Sequence, residues 1–205
     1  AKTNFGLFPS SAALFLKDGK GPEEGEIFYQ KDLANTFKRL VAAEKKALKA
    51  KKNRKQAIMA AYDLFYKGDI AKEMAAFYKE NGGYFTLKDF SSFKPTFIPA
   101  IHSKYKEYDV YTNAPTSRGG VQTLMNLNML EHFDLKKIGH DNPEYLHLLA
   151  EVIKLNNADV YETVTDMAFS KVPVEGMISK KYAEERMKLI NMEKASPYGL
   201  PGKPE

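Results

Sequence analysis

The chain has 205 residues, a length that fits a single domain. Apolar residues make up 43% of it and charged residues 28%, a balance that excludes a wholly disordered chain. Cysteine is absent, which excludes disulfides, thiol catalysis and zinc–thiolate sites. No apolar run approaches the roughly 20 residues of a membrane-spanning helix, so we expect no spanning segment.

The positive charge of the chain is concentrated in one stretch. The net charge is +5, and residues 44–55 (EKKALKAKKNRK) contain seven Lys or Arg and one Glu, which leaves the remainder near −1. A protein with a broad phosphate-binding face would spread its basic residues over many elements. The pattern therefore favours a solvated helix face over a nucleic-acid site.

The first residues, AKTNFGLFPS, show no targeting signal. A signal peptide would begin with a charged region and continue into about 7–15 apolar residues. Together with the lack of cysteine, which fits any redox compartment, this favours the cytoplasm and leaves the periplasm and secretion open.

Hydrophobic periodicity predicts helices through the first half of the chain. A short helix is expected over 10–16, followed by a Gly- and Pro-rich loop over 17–26. Asp32 is the predicted cap of a helix that continues through the basic stretch and ends at Gly68 in a left-handed conformation. Its apolar stripe consists of Leu33, Phe37, Leu40 and Val41, followed by Ile58, Met59, Tyr62 and Phe65.

The next predicted helix begins with Asp69 as its cap and stops at the Asn-Gly-Gly sequence of residues 81–83. A short turn is predicted over 89–93. Residues 97–112 are rich in Ile, Tyr and Val and predict a β-hairpin that turns between Tyr105 and Tyr108.

Three helices are predicted in the second half. A loop over 114–120 (APTSRGG) opens an apolar helix over 121–131, and Pro143 begins the next helix at its first turn. Residues 171–178 are expected to be irregular and 180–190 to form the last helix. The tail, residues 192–205, is predicted to be extended and loosely held because it is rich in Pro and Gly.

Candidate motifs for chemistry are sparse. His140 and His147 are separated by Pro143, and no carboxylate stands at a metal-ligand spacing, so no metal site is predicted. The sequence Arg118-Gly119-Gly120 at a helix start fits two structures. The backbone amides and Arg118 form an anion cradle, or the glycines make a tight structural turn that needs positive dihedral angles. Residues and spacing alone predict a mostly helical domain without a self-contained active site.

Four stretches, in collinear order, resemble the gamma-glutamyltranspeptidase family of N-terminal nucleophile hydrolases. The most specific elements within them are FYKGDIA, ENGG and P-x-S-x-G-G. The stretches are PSSAALFLKDGKGPEEGEIFYQKDLANTFKRL (9–40), FYKGDIAKEMAAFYKENGGYFTLKDFSSFKP (65–95), YDVYTNAPTSRGGVQTLMNLNMLEHFDL (108–135) and KVPVEGMISKKYAEER (171–186).

The resemblance implies an α+β fold: a mostly helical fragment of a four-layer αββα sandwich that partner chains complete. Such enzymes are made as one precursor that cleaves itself into a large and a small chain. The new N-terminal Thr of the small chain is the nucleophile, and its own amine is the general base. Residues 1–205 resemble a single segment, the C-terminal half of the large chain, whose tail leads toward the cleavage junction. The resemblance therefore implies that the small chain carries the Thr and that a further chain carries the N-terminal half.

The resemblance implies no catalytic residue within this chain and no cofactor. The sequence departs from the family at Arg118, where a Ser, Asn or small residue is common, and at Val160, where an Arg is common. Arg118 is the candidate substrate-binding residue. Residues 44–55 are interpreted as a basic helical insertion.

Two classes of function stay open at this stage. The first is the non-nucleophile subunit of a self-processing amide hydrolase or acyltransferase that acts on a small-molecule amide, with no nucleic acid and no membrane as partner. The second is a free-standing helical binding module that uses residues 45–55 to contact nucleic acid or an acidic partner.

Overall fold

The computed structural model describes residues 5–205, and this part of the chain is mostly helical with one two-stranded sheet. The backbone forms two compact units, Ala1–Pro95 and Thr96–Glu205. Within the described residues, the first unit contains α1 (Pro9–Phe15), α2 (Lys31–Lys49), α3 (Arg54–Tyr66), α4 (Asp69–Glu80) and α5 (Leu87–Ser92). The second contains β1 (Ile101–Tyr105), β2 (Tyr108–Thr112), α6 (Arg118–Leu130), α7 (Leu135–Ile138), α8 (Pro143–Thr163), α9 (Val174–Met177) and α10 (Lys180–Met187). None of these described helices is both long and apolar enough to cross a membrane.

The basic stretch is not one continuous helix, contrary to prediction. The chain leaves α2 after Lys49 and re-enters a helix at Arg54, with Lys51 in a left-handed conformation (φ 58°). Asn53 starts α3 with a capping box, since its Oδ1 accepts a hydrogen bond from Gln56 N at 2.9 Å and its own N–H donates to Gln56 Oε1. Helical spacing continues on both sides of this turn, and apolar periodicity alone therefore did not indicate it.

The junction between α3 and α4 also differs from the prediction. Gly68 is the N-cap of α4 rather than a left-handed C-cap, with a φ of −84°, and Asp69 is the first helical residue instead of the cap. A Cβ at Gly68 would lie 2.7 Å from the carbonyl oxygen of Leu64, so glycine is needed here for close backbone approach. Asp69 instead forms an ion pair with Arg39 of α2 at 2.5 Å.

The helix α5 occupies the region predicted as a turn. Thr86 and Asp89 form a capping box that begins it, because Asp89 Oδ2 accepts from both the N–H and the hydroxyl of Thr86. The hydrogen bond from the Thr86 hydroxyl, together with the one from its backbone N–H, holds the pKa of Asp89 below its usual range. The rings of Tyr78, Phe85 and Phe90 then pack together between α4 and α5.

The predicted β-hairpin is confirmed. β1 and β2 pair antiparallel, with Ile101 opposite Thr112 and Tyr105 opposite Tyr108 at the turn. β1 and β2 both pack against α6, whose apolar residues form most of the core of the second unit together with α8. The fully buried side chains of these two helices include Val121, Leu124, Met125, Met129, Leu148, Val152 and Val160.

The C-terminal segment, residues 192–205, follows an irregular course, and contrary to the prediction it is not loosely held. Lys154, Asp159 and Arg186 all form hydrogen bonds to its main chain. Its composition favours an extended path, whereas the contacts that hold it come from α8 and α10, from residues 14 to 43 positions earlier in the chain. The region 171–178, predicted to be irregular, contains the short helix α9.

Candidate functional site

The loop before α6 brings the candidate residues of the sequence to one place. Arg118 is the first residue of α6, so Gly119 and Gly120 lie in the first turn of the helix rather than in a turn before it. Neither glycine has a positive φ, so the alternative of a tight turn that needs positive dihedral angles is wrong. At Gly120 the reason is space: an added Cβ would overlap the carbonyl oxygen of Asn113 and lie 2.5 Å from Thr112 Oγ1. At Gly119 an added Cβ would have nothing closer than 3.9 Å.

Arg118 adopts a position that the sequence did not indicate. Its guanidinium lies over the ring of Tyr161 in α8, 4.7 Å from the ring centre, and both side chains are exposed. A cation at the N-terminus of a helix opposes the helix dipole, whereas the negative face of an aromatic ring attracts it. The ring thus holds an exposed positive charge at the start of α6.

A second polar site, which sequence reasoning missed, lies between α8, α10 and the C-terminal segment. Asp159 is fully buried, and its Oδ1 lies 2.9 Å from Arg186 Nη2 and 2.7 Å from the amide nitrogen of Gly202. Arg186 also donates to the carbonyl oxygens of Leu155 and Leu200, at 3.3 and 2.9 Å. Burial and the charge of Asp159 raise the pKa of the neighbouring Tyr182 phenol, which keeps that group neutral.

About two helical turns before Asp159, Glu151 forms a related contact. Glu151 is 2% exposed, lies 2.5 Å from Lys154 Nζ and accepts from the amide of Ser196 at 3.3 Å. Burial by itself would raise the pKa of Glu151, but the hydrogen bonds from Lys154 and Ser196 outweigh it and leave the pKa below its usual value. The carboxylate is therefore ionised near neutral pH and holds the segment from the same side of α8.

The sequence carried only a faint signal of this second site. Glu151, Leu155 and Asp159 recur every four residues and share one face of α8, which the apolar stripe otherwise places in the core. Because buried carboxylates are almost always paired with a cation or hydrogen-bonded, acidic residues on such a face predict buried cationic or hydrogen-bonding partners. Their partners, Arg186 and the main chain of Gly202, lie outside the reach of any local periodicity.

The histidines do not assemble a site. His147 Nε2 lies 2.7 Å from the carbonyl oxygen of Asn191, and His140 contacts its neighbour Asp141. His102 stacks on Tyr111 across the hairpin and lies 2.8 Å from Asp109. Among residues 5–205, no group of three or more His, Asp or Glu side chains is arranged to hold a metal ion.

Comparison with known proteins places the chain in a family. The gamma-glutamyltranspeptidase family model matches residues 1–203. The chain is 34% identical over 177 residues to a glutathione hydrolase-like YwrD proenzyme of Bacillus subtilis, and 33% identical over 196 residues to the acylase ACY 1 proenzyme of a Pseudomonas species. These alignments cover 86% and 95% of this chain but only 30% and 32% of the relatives. The chain thus spans about a third of the length of the curated relatives it matches.

The fold agrees with this assignment. The crystal structure of Helicobacter pylori gamma-glutamyltranspeptidase superposes with a TM-score of 0.73 at 28% sequence identity. The match covers 97% of this chain and 52% of that one. A mostly helical fragment with a small two-stranded sheet therefore corresponds to part of a larger enzyme fold of this family.

Proposed function

Because this chain belongs to the gamma-glutamyltranspeptidase family, we propose that it is the C-terminal half of the large chain of a self-processing amide hydrolase or acyltransferase. The observation that carries this proposal is the family match over residues 1–203 in a chain about a third as long as its proenzyme relatives. In this role the chain contributes helices and a hairpin to a four-layer αββα sandwich, and other chains complete the sheets.

The nucleophile in this proposal is the N-terminal Thr of a partner chain. A Thr hydroxyl is a weak nucleophile by itself, but a free α-amine with a pKa near 7.7–8.0 takes its proton close to neutral pH. The donor is a small-molecule amide, since the relatives include proteins named as a glutathione hydrolase and as an acylase. A further partner carries the N-terminal half of the large chain.

Sequencing the chains of the purified enzyme tests this function. The gene that encodes residues 1–205 is expressed in full, and the intact mass and the N-terminal sequence of every co-purifying chain are determined. We expect a small chain that begins with Thr and arises from the same precursor. A partner that begins with Met, or the absence of any partner in an active preparation, would contradict the proposal.

Arg118 is the proposed contact for an anionic group of the donor, because its guanidinium carries an exposed positive charge that is held over the ring of Tyr161. Replacing Arg118 by Ala removes the charge and leaves the helix in place. We expect a higher KM for an acidic donor with kcat nearly unchanged, as for a contact made equally in the ground and transition states. A neutral donor and the variant Arg54→Ala, which changes another exposed arginine, serve as controls. Equal KM values for Arg118→Ala and the parent enzyme on both donors would remove Arg118 from the substrate site.

A further inference from the structure

The C-terminal segment is held by its main chain. The amide of Gly202 donates to Asp159, and the carbonyl oxygens of Leu200 and Ser196 accept from Arg186 and Lys154, at 2.7, 2.9 and 2.5 Å. Tyr198 and Leu200 are themselves 61% and 84% exposed. Contacts to backbone atoms determine the path of a segment, whatever side chains it carries.

The groups that hold Gly202 and Leu200 are buried charges. Asp159 and Arg186 are 0% and 6% exposed, and within the described residues Asp159 Oδ2 and Arg186 Nε have no hydrogen-bond partner. Burying an ion pair costs desolvation energy, and apolar residues of equal volume often stabilise a protein as well or better. A buried pair whose further hydrogen bonds all go to main-chain atoms is therefore better explained by the geometry that it imposes than by stability.

The packing leaves the segment little freedom at this point. A Cβ added at Gly202 would overlap the hydroxyl of Tyr182 and lie 3.0 Å from its Cζ. Further along, a Cβ at Gly176 would overlap the carbonyl oxygen of Glu205, so the segment stays in contact with α9 up to that residue. The close approaches at Gly202 and Gly176 and four main-chain hydrogen bonds, which include the one from the Ser196 amide to Glu151, therefore define the course of residues 196–205.

We propose that Asp159 and Arg186 are positioning residues for self-cleavage, which lock residues 200–202 and so orient the scissile peptide bond that follows this segment in the precursor. The inference rests on the proposed function. In the step itself, the Thr hydroxyl oxygen bonds to the preceding carbonyl carbon, the C–N bond breaks, and the hydroxyl proton passes to the released amine. Water then hydrolyses the ester, giving a carboxylate and the free hydroxyl. Holding the two reacting groups together lowers the entropic barrier of this attack.

The experiment uses the full precursor with two different disruptions of the lock. Asp159→Asn removes the charge that holds Gly202 and Arg186, whereas Gly202→Ala displaces the segment and leaves the ion pair intact. Glu131→Gln, which breaks the ion pair to Lys180, and Gly21→Ala, where an added Cβ meets nothing within 4 Å, are the matched controls. The first-order rate of chain appearance is followed by intact mass, and hydrogen exchange is measured over residues 199–205.

We expect both disrupting variants to slow self-cleavage at least 10-fold and to speed exchange in residues 199–205 alone. Material that has matured should keep kcat/KM within about 3-fold of the parent, and the controls should stay within 2-fold on every measure. Cleavage at the parental rate in both variants would overturn the proposal. Global exchange and a lower thermal midpoint in both would also overturn it, since the pair would then serve stability. A parent precursor that yields no chain beginning with Thr would instead refute the proposed function, and this inference with it.

Discussion

Gly120 and Gly119 are neighbours in the first turn of α6, but only Gly119 has room for a side chain. Gly120→Val would drive its side chain into the carbonyl of Asn113, and overpacking of this kind costs about 1–3 kcal/mol. We therefore expect Gly120→Val to lower the free energy of unfolding by about that amount, and to impair maturation of the precursor before it changes substrate preference. Denaturant unfolding and the yield of mature enzyme measure the two effects.

Gly119→Ala is the matched control for this substitution. Its Cβ would enter open space, and alanine is favoured over glycine in a helix by up to about 1 kcal/mol, so this variant should be neutral or slightly more stable. Equal loss of stability in both variants would show that the backbone of the first turn, rather than the approach to Asn113, is what each substitution disturbs. Equal stability of Gly120→Val and the parent would refute the steric explanation.

At the scale of single residues, the sequence predicted those features that adjacent residues determine, and it missed those that depend on contacts between residues far apart in the chain. The turn between Tyr105 and Tyr108 and the start of α8 at Pro143 follow from adjacent residues, and both predictions are confirmed. The sequence also indicates the glycine pair, but glycine is needed at Gly120 because the backbone of Asn113 and the side chain of Thr112 lie too close for a Cβ. The pairing of Asp159 with Arg186 depends on two helices that only the tertiary fold brings together.

At the scale of elements, the basic stretch consists of the end of α2, a turn and the start of α3. Ala47 and Ala57 are buried on either side of the turn, and their small side chains allow α2 and α3 to pack closely. The lysines between and beside them are all exposed. The sequence correctly predicted that these basic residues are exposed. The turn was missed because Asn53 acts through a local cap and leaves the helical spacing of apolar residues unbroken.

Neutralising this surface separates the two classes of function that the sequence left open. If the stretch is a solvated face, replacing its lysines by Gln should leave amide-cleaving activity within a few-fold, because exposed substitutions usually change stability by no more than about 0.5 kcal/mol. Steady-state kinetics and thermal unfolding of the fivefold variant measure this. Lys154→Gln, which loses a contact to the C-terminal segment, is the positive control. The residues exchanged are Lys45, Lys46, Lys49, Lys51 and Lys52.

Two other outcomes would change the interpretation of this surface. Loss of activity without unfolding would show that the stretch reaches the active site of the assembled enzyme. The binding module would be favoured if the parent protein bound nucleic acid with an affinity that falls steeply with salt, and if the fivefold variant did not bind. Retained activity without such binding supports the enzyme subunit.

At the scale of the whole molecule, the two units differ in how well they cover their apolar residues. The second unit has two buried clusters around α6 and α8. In the first unit, the buried hydrophobic residues among those described are Ala47, Ala57, Ile70 and Ala71. The stripe that predicted α2 is largely open, with Phe37 58% exposed and Val41 46% exposed. Helical periodicity correctly located this apolar face. Within the described residues, the face is left largely exposed because little of the chain packs on it.

We therefore expect residues 1–205 produced alone to associate or aggregate. Exposed apolar patches beyond a few hundred Å² are rare on monomeric proteins, and a partner that binds only the folded state stabilises it by mass action. Production with the remainder of the precursor, in contrast, should yield a complex of defined mass with low binding of a hydrophobic dye. Light scattering and dye fluorescence on the two preparations, at equal concentration, measure the difference.

The outcome that contradicts this expectation is a stable monomer of residues 1–205 with weak dye binding. Phe37 and Val41 would then be tolerated in water as scattered surface residues, as many single apolar side chains are. Replacing both by Ser distinguishes the two cases further. In the chain alone, the double variant should associate less, because less apolar surface is offered. In the assembled enzyme it should weaken the complex, because the same side chains would be the ones that partner chains cover.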